Sequence, residues 1–454
     1  MAQYSKHYED FLAQEKTNFE VVMLSNSDGI VTDSYNPLHV ALGDGNYDAF
    51  GRQRTSEAYT LGDYKHLYGI DPNFYDVTIS GATVTYQENK ACARLTVSGV
   101  TGSRVIHQTK MYHNYMPGKS QLIKSTFNFY AAASGVTKRS GYYDDNNGIF
   151  FEQTPSGELA FNIRTYVSGS TDDATNRVVR SNWNIDKCDG TGPSKFNLDI
   201  TKTQIFWTDF QWLGVGRVRC GFVHNGIYVI AHEYYNSNVK PTVYMSNPNL
   251  PIRCEIIAAS GVTASGGYFD QICSTVISEG GYVESGQDWS VQSPTLRVLN
   301  GAQTLPIMAI RLKTTYKTYP NRMFARLGNL NVFSTGQNVA YKVLKLPNAA
   351  ALTGGSWAPV NDNSGVEYNV TASGYTGGEE MDNGYVSAAS QNSQKVFASV
   401  APADPSSSAK KNFISHNYYG NDSEIYVVVA TNLAAAGAGN TTDVGVGMQW
   451  REVY

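Results

Sequence analysis

The sequence predicts an all-β protein: a jelly-roll-like β-sandwich, a second C-terminal β-domain, and an extended N-terminal arm ahead of both. Three observations predict it. The 454 residues include 42 Gly and 31 Tyr but are only 16% charged, whereas a helical bundle is rich in Ala, Glu, Lys, Leu and Arg. Short segments of alternating β-branched and aromatic residues recur between Gly, Asn, Asp or Ser, as repeated strands in a sandwich or barrel do. The pattern pauses near Gln287–Pro294 and resumes, which at this length fits two β-bodies.

The arm is assigned to residues 1–48. Its apolar stretch Phe19–Leu24 lies between a polar start and turn chemistry at Asn26–Gly29 and Gly43–Asn46. So few apolar residues cannot offset the entropy of ordering the segment alone, so it packs on the main body or on a neighbouring subunit, or stays a partly ordered tail. The sandwich is assigned to residues 49–290, with strands at Val77–Ser80, Ala93–Val97, Ser125–Tyr130, Gly148–Glu152, Leu159–Val167, Gln204–Phe210, Val215–Val223, Tyr228–Glu233 and Arg253–Ala258. Asn225-Gly226 marks a tight hairpin, because a primed turn requires positive φ at both central positions. The second β-domain, residues 291–454, has strands at Leu296–Leu299, Ile307–Lys313, Leu330–Phe333, Ala340–Leu346 and Ile425–Thr431, with a Gly/Ser/Asn-rich stretch over 353–408.

Charge narrows the partners. Thirty-five basic and 39 acidic residues leave a net charge of -4, which gives no whole-molecule field towards nucleic acid or an anionic membrane. No run approaches the roughly 18 apolar residues of a membrane span, and the start MAQYSKHYEDFLAQEK lacks a signal-peptide pattern. The expectation is synthesis in a cytoplasm, with no nucleic-acid partner and no membrane insertion. The five cysteines show no CxxC spacing, so neither a zinc site nor a disulfide framework is expected, and no cofactor is implied.

HExxH, GxSxG and GxxxxGK[ST] are all missing, as is a GxGxxG opening a helix, which removes the usual support for metalloprotease, acyl-transfer and nucleotide chemistry. No catalytic residue is assigned, and the chain is expected not to be an enzyme. His232-Glu233 falls on a strand, where neighbours point to opposite faces. Asp63, Asp71, Asp76, Glu152 and Glu233 remain as material for a glycosidase pair, which needs two carboxyl groups roughly 5–9 Å apart. Asp144, Asp145 and Asn147 gather hard oxygen ligands that suit calcium, although the EF-hand spacing is lacking; the same residues read as a β-turn bonding its own backbone.

The most uneven charge lies between Trp289 and Asn361, where Arg297, Arg311, Lys313, Lys317, Arg322, Arg326, Lys342 and Lys345 occur without a single Asp or Glu. Arg311 and Lys313 alternate with apolar residues and fall on one strand face. The run reads either as a docking surface for an acidic neighbour, a protein shell or a polyanionic glycan, or as a solvated face whose acids come from elsewhere in the fold. Tyrosine-rich runs at Tyr112–Tyr115, Tyr142-Tyr143, Tyr234-Tyr235 and Tyr418-Tyr419 offer flat faces to sugars or area to packing and subunit contacts.

Three blocks carry a resemblance. Asp48-Ala49-Phe50-Gly51-Arg52-Gln53-Arg54-Thr55-Ser56, continuing through Tyr59–Tyr64 to Phe74-Tyr75-Asp76, resembles a segment of virion structural proteins of tailed bacteriophages. Asp209–Arg219 with Tyr244–Pro251 is similar to that family's middle region, and Leu352–Trp357 with Val366–Asn369 to its C-terminal domain. The likeness spans residues 48 to 380. It implies a non-enzymatic structural component on the virion exterior, as capsid decoration or a head, neck or tail-fibre protein, made in a host bacterial cytoplasm. Its partners would be other virion proteins, and it would form a homo-oligomer, with a trimer favoured because virion sites are symmetric and β-edges are best covered by neighbours. The alternative is an adhesin for host surface polysaccharide. Read physically, Phe50, Arg52 and Arg54 form a docking element, since glycine permits close approach and arginines pair bidentately with carboxylates. Trp212–Gly216 reads as a sandwich strand with Trp212 in the core.

Overall fold

The computed structural model describes residues 56–259, 267–283, 285–388, 392–396 and 413–453. The expected arm and the docking candidates Phe50, Arg52 and Arg54 lie outside the described residues. Alternation of apolar and polar residues produces strands here because one face of each can be buried and the other wetted. In the first sandwich an eight-stranded antiparallel sheet runs, in spatial order, Ile227–Tyr234, Val218–His224, Gln204–Phe210, Gln121–Asn128, Tyr268–Ser278, Cys92–Thr96 and Thr83–Gln87, with Tyr59–Lys65 also pairing with Tyr268–Ser278. The facing sheet has seven strands, Arg177–Val179, Leu159–Arg164, Gly148–Gln153, Val136–Tyr143, Ile252–Ala258, Arg104–Thr109 and Phe74–Ile79. The chain passes repeatedly between the two sheets, as in a jelly roll.

The core between them is aromatic. Phe151 stands on the seven-stranded sheet and meets Phe129 at 5.7 Å, Phe206 at 5.9 Å and Phe222 at 5.2 Å, while Phe161 stacks on Trp183 at 4.3 Å. Offset and edge-on pairs of this kind add to the area they bury. The Asn225-Gly226 hairpin forms as expected, with φ of 51° and 80° and His224 paired with Ile227. Trp212–Gly216 is not a strand. It is the turn joining Gln204–Phe210 to Val218–His224, with positive φ at Leu213 and Gly214, and Trp212 packs half-buried against the core with its indole N–H on the Met245 carbonyl. Paired glycines there serve the turn rather than a large neighbour.

The change of sandwich falls at residues 279–285, slightly ahead of the expected 290, because Gly286–Gln292 already pairs with Thr442–Val453. The second sandwich sets Gly286–Gln292, Thr442–Val453, Phe324–Ser334 and Asn392–Val396, with Arg297–Leu299 alongside, against a six-stranded sheet. That sheet runs Ala358–Pro359, Val366–Asn369, Thr304–Leu312, Ile425–Asn432, Val339–Leu346 and Glu379–Val386. Trp450, Met448, Leu330 and Val332 pack against Met308, Ile310, Tyr341 and Val428 between the layers. The far side of the second sheet is also covered: Val427, Val429, Leu344 and Leu346 lie under Leu352, Ala372, Trp357 and Tyr375. Burial on both faces explains why Ile425–Thr431 reads as a continuous apolar run rather than an alternating one.

Residues 57–454 pack as one unit. Met111 of the first sandwich joins Phe324, Phe413 and Val453 of the second in an apolar cluster. Polar bonds surround it. Lys110 reaches Glu424 at 2.9 Å, Glu424 also holds Lys345 at 3.0 Å, and the Tyr75 and Ser415 hydroxyls meet at 3.3 Å. Asp145 accepts from Arg253 Nη1 at 2.9 Å and from the Tyr418 hydroxyl at 2.5 Å. Because Phe151 joins rings from both sheets of the first sandwich, Phe151→Ala should cost about 3–5 kcal/mol, read as a lower denaturant midpoint with unchanged slope.

Candidate binding cleft between the sandwiches

A cleft of about 310 Å³ opens where the sandwiches meet, lined by Tyr112, Asn114, Asn247 and Asn249 on one side and by Tyr316, Lys317, Tyr319 and Arg322 on the other. That volume falls near the lower bound of roughly 300–1,000 Å³ for small-ligand pockets.

The first-sandwich wall is two loop segments pinned together. His113 N–H bonds the Leu250 carbonyl at 3.0 Å, and Asn249 Oδ1 accepts from the Tyr115 N–H at 2.8 Å. Beneath them the buried Tyr142 hydroxyl lies 3.0 Å from the His113 carbonyl and 3.2 Å from that of Pro248, and accepts from the Leu250 N–H at 3.1 Å. The His113 ring bonds the Leu250 carbonyl through Nδ1 at 3.1 Å and meets the Tyr64 hydroxyl at Nε2 at 2.8 Å, so neutral imidazole fits both partners. These bonds fix the backbone and leave several amide donors uncommitted. Among the described residues the Asn114 carboxamide and the NH₂ groups of Asn247 and Asn249 have no protein partner.

The second-sandwich wall is a short hairpin. Thr315–Tyr316 pairs with Tyr319–Pro320 across Lys317-Thr318, which have φ of 46° and 74°. Both signs are those of a type I′ turn, which normally takes Asn-Gly; a β-branched threonine there is held against its own preference. The hairpin base is fixed: Asn321 donates to the Gly365 carbonyl at 2.9 Å and accepts from the Met323 N–H at 3.1 Å, and Tyr316 donates to the Asn363 carbonyl at 3.3 Å. Tyr319 at its edge is 74% exposed, so packing does not account for it.

The basic run is divided by the fold. Arg311 lies on Thr304–Leu312 and Lys313 just beyond its end; Arg311 is paired with Glu367 at 2.6 Å and lies over the Trp357 ring, while Lys313 donates to the Asn361 and Ser364 carbonyls. Lys342 pairs with Glu380 and Lys345 with Glu424. Arg326 stacks over Phe324 beside a small recess with Tyr59 and His113. Lys317 and Arg322 belong to the cleft. Lys317 lies over the Tyr316 ring; Arg322 lies over the Tyr112 ring and reaches the Tyr418 carbonyl at 3.4 Å.

The calcium candidates are committed to the protein. Asp144 Oδ1 caps the N–H groups of Asn146 and Asn147, Asp145 joins Arg253 to Tyr418, and Asn147 Oδ1 accepts from Ser246. Among the described residues no group of three His, Cys, Asp or Glu side chains is placed to hold a metal ion. Of the glycosidase candidates Glu152 and Glu233 stand apart, whereas Asp71 and Asp76 both lie near His66, and Asp63 and Asp71 near the Tyr64 hydroxyl. Asp63 lies beside Lys65, Asp71 bonds Asn73, Asp76 bonds His107, Glu152 is clamped by Arg139 and Arg177, and Glu233 faces Arg217 and Tyr235.

Glu152 belongs to a wider ionic lattice on the outer face of the seven-stranded sheet. Arg104 and Arg253 hold Glu255, and Arg164 grips Asp173 with two bonds. Burial raises the Glu255 carboxyl, but Arg253, Arg104, Arg139 and Arg164 outweigh it and hold the group below the usual range. Asp145 is lowered likewise, burial being overcome by Arg253 and the Tyr418 hydroxyl. Asn162, Phe150, Gly141, Arg253 and Gln108 form one row across this sheet. In that row Asn162 Nδ2 and Oδ1, Arg253 Nε and Nη2, and Gln108 Oε1 are buried without a hydrogen bond.

Sequence reasoning singled out Lys317 and Arg322 but not the amides beside them. Asn247-Pro248-Asn249 was visible as a block, yet nothing local announces that it faces residues 316–322. No protein-family model matches the chain, and no curated protein matches it. Solved structures match about half of the chain at low scores. A protein of unknown function from Shewanella oneidensis matches at a TM-score of 0.32 and 9% identity over 51% of this chain and 91% of its own. A Bacteroides ovatus mixed-linkage glucan GH16 protein bound to its product gives 0.32 and 8% over 48% and 99%, and peanut lectin 0.28 and 11% over 49% and 98%. These are likenesses of fold, and no residue or activity is carried over from them.

Tyr142→Phe leaves the Leu250 N–H without its acceptor and should cost about 1–3 kcal/mol, with looser cleft walls seen as faster amide exchange at residues 112–115 and 247–250. Burial lowers the His113 and His232 imidazoles from 6.5 to about 4. Between those values the unfolded chain binds protons that the folded chain refuses, so stability is full above about pH 6.5 and declines as pH falls towards 4. The contributions of Asp145 and Glu255 begin to be lost only below about pH 5. The melting temperature should therefore begin to fall above pH 5, ahead of the losses from Asp145 and Glu255; a flat profile from pH 7 to 5 would contradict the histidine assignment.

Proposed function

We propose that this protein is a non-catalytic saccharide-binding component of a tailed-phage virion exterior, with the inter-sandwich cleft as its binding site. One observation carries the reading: tyrosine rings from both walls, Tyr319 exposed and Tyr112 and Tyr316 half-buried, meet uncommitted carboxamides in a single cleft of small-ligand size. Sugars have apolar CH faces that stack on aromatic rings and hydroxyls that need donors and acceptors, so Tyr112, Tyr316 and Tyr319 with Asn114, Asn247 and Asn249 match both demands. The non-catalytic part is supported by the carboxylates, since general acid–base work needs a group free to exchange its proton near substrate, and the candidates are held by arginine, lysine, histidine or backbone partners. The virion part is supported by the three sequence blocks.

Those blocks also favour a second reading, in which the protein is a particle component whose surfaces contact only other virion proteins and further copies of itself, as a trimer. A glycan array with the purified full chain, coupled to a reducing-sugar release assay, separates the readings. Binding without release is expected, and Tyr319→Ala should weaken it by about five- to thirtyfold. Release of reducing ends would overturn the non-catalytic part; no glycan bound, with the chain present in intact particles, would leave the purely structural reading.

A further inference from the structure

We infer that the saccharide held by the cleft is acidic, bearing carboxylate or sulfate groups read by Lys317 and Arg322. The inference rests on the proposed saccharide-binding function and specifies its ligand class. Three observations support it.

The first is the charge balance of the cleft. Its lining contains Lys317 and Arg322 and no Asp or Glu. Other cations of the same basic run are satisfied by Glu367, Glu380, Glu424 or backbone carbonyls. Among the described residues neither Lys317 nor Arg322 has a carboxylate at ion-pair distance: Lys317 lies over one ring, and Arg322 lies over another, bonds one carbonyl and acts from farther off on the Asp144 carboxyl. In a protein of net charge -4, a small cavity with two cations and no carboxylate in its lining selects anions locally.

The second is where the cations sit. Lys317 Nζ is 5.2 Å from the centre of the Tyr316 ring, and Arg322 Cζ is 5.3 Å from that of Tyr112. Each cation covers one face of its tyrosine, so a sugar lying against the edge of either ring brings its exocyclic acid group towards the neighbouring cation. Arginine can take both oxygens of a carboxylate or sulfate with two parallel bonds, and lysine acts as a point charge. The uncommitted amides opposite are donors too, and suit acid oxygens as well as hydroxyls.

The third is the backbone that presents Lys317. Left-handed conformation at Lys317 and Thr318 costs about 1–2 kcal/mol per residue relative to glycine, and residues held in such regions cluster at ligand clamps. The hairpin closes only two residues, so this conformation fixes the direction in which the Lys317 side chain leaves the turn.

Calorimetric titration of the full chain with matched pairs tests the inference: oligogalacturonate against its methyl ester, chondroitin sulfate against unsulfated chondroitin, dextran sulfate against dextran, and oligoglutamate as a polyanion without sugar. At least one acidic saccharide should bind tenfold or more tighter than its partner, with affinity that falls as salt rises. Lys317→Gln, at an exposed turn, should cut that preference about three- to tenfold with no change in melting temperature, and Arg322→Gln should act in the same direction. Thr318→Gly retains both charges and should retain the preference. Equal binding of acidic and neutral partners would overturn the acidic assignment while leaving the saccharide reading intact. Oligoglutamate bound as tightly as the best acidic saccharide would show a general anion surface and overturn the assignment as well. No saccharide bound at all would remove both.

Discussion

Two carboxylates, Asp145 and Glu424, are each shared between the sandwiches, and the cleft depends on that sharing. Asp145 ties Arg253 on the first sandwich to Tyr418 on the second, and Glu424 joins Lys110 to Lys345 across the same boundary. Glu424 is buried, so parting the halves would leave Lys110 without its carboxylate, and an uncompensated charge near low-dielectric surroundings is expensive; Asp145 is more than half exposed and would keep Arg253, so its bond to the Tyr418 hydroxyl is the weaker tie. The apolar cluster of Met111, Phe324, Phe413 and Val453 adds non-directional attraction, whereas the ionic bonds fix register. Walls from two independent sandwiches therefore keep a constant separation, and a binding site assembled from both can be rigid without belonging to either.

The strands were legible because their local grammar is strong. Alternation located fourteen of the thirty described strands, and Asn225-Gly226 announced a hairpin whose φ values are those the dipeptide favours. The longest strands were harder. Thr442–Val453 carries glycines at 445 and 447 that read as turn residues, yet it pairs along its length with Phe324–Ser334, where a side chain at Gly445 would meet Leu296. Tyr268–Ser278 is rich in Ser, Thr and Gln, since its wetted face and its bonding to both Tyr59–Lys65 and Gln121–Asn128 matter more than apolar content. Trp212–Gly216 failed for the opposite reason, apolar residues placed in a turn. The cleft was legible only in part. Lys317 and Arg322 stood out as members of an acid-free run, but the division of that run depended on Glu367, Glu380 and Glu424, which pairing brings in from later strands. Asn114 and Asn247 are separated from the hairpin by most of a sandwich, and no local pattern records that adjacency.

The ionic lattice on the seven-stranded sheet shows how far pairing substitutes for apolar burial. Arg253 has no exposed side-chain surface, yet Asp145 and Glu255 flank it and the Tyr143 and Tyr418 rings lie against it. The row through Asn162, Arg253 and Gln108 keeps unpaired polar atoms, each of which costs about 1–3 kcal/mol unless a solvent molecule reaches it. Such a row makes geometry strict and stability modest, a combination consistent with a surface whose task is to position Asp145 and hence the joint.

The Lys317-Thr318 turn has an evolutionary corollary. Because its shape is imposed by the pairing of Tyr316 with Tyr319 and by the anchoring of Asn321, rather than by a preference of the two residues themselves, their identities are free to drift while the loop keeps its outline. Exchanging just this dipeptide would alter what is gripped without disturbing either layered body, giving a lineage under pressure to change its target a short mutational route.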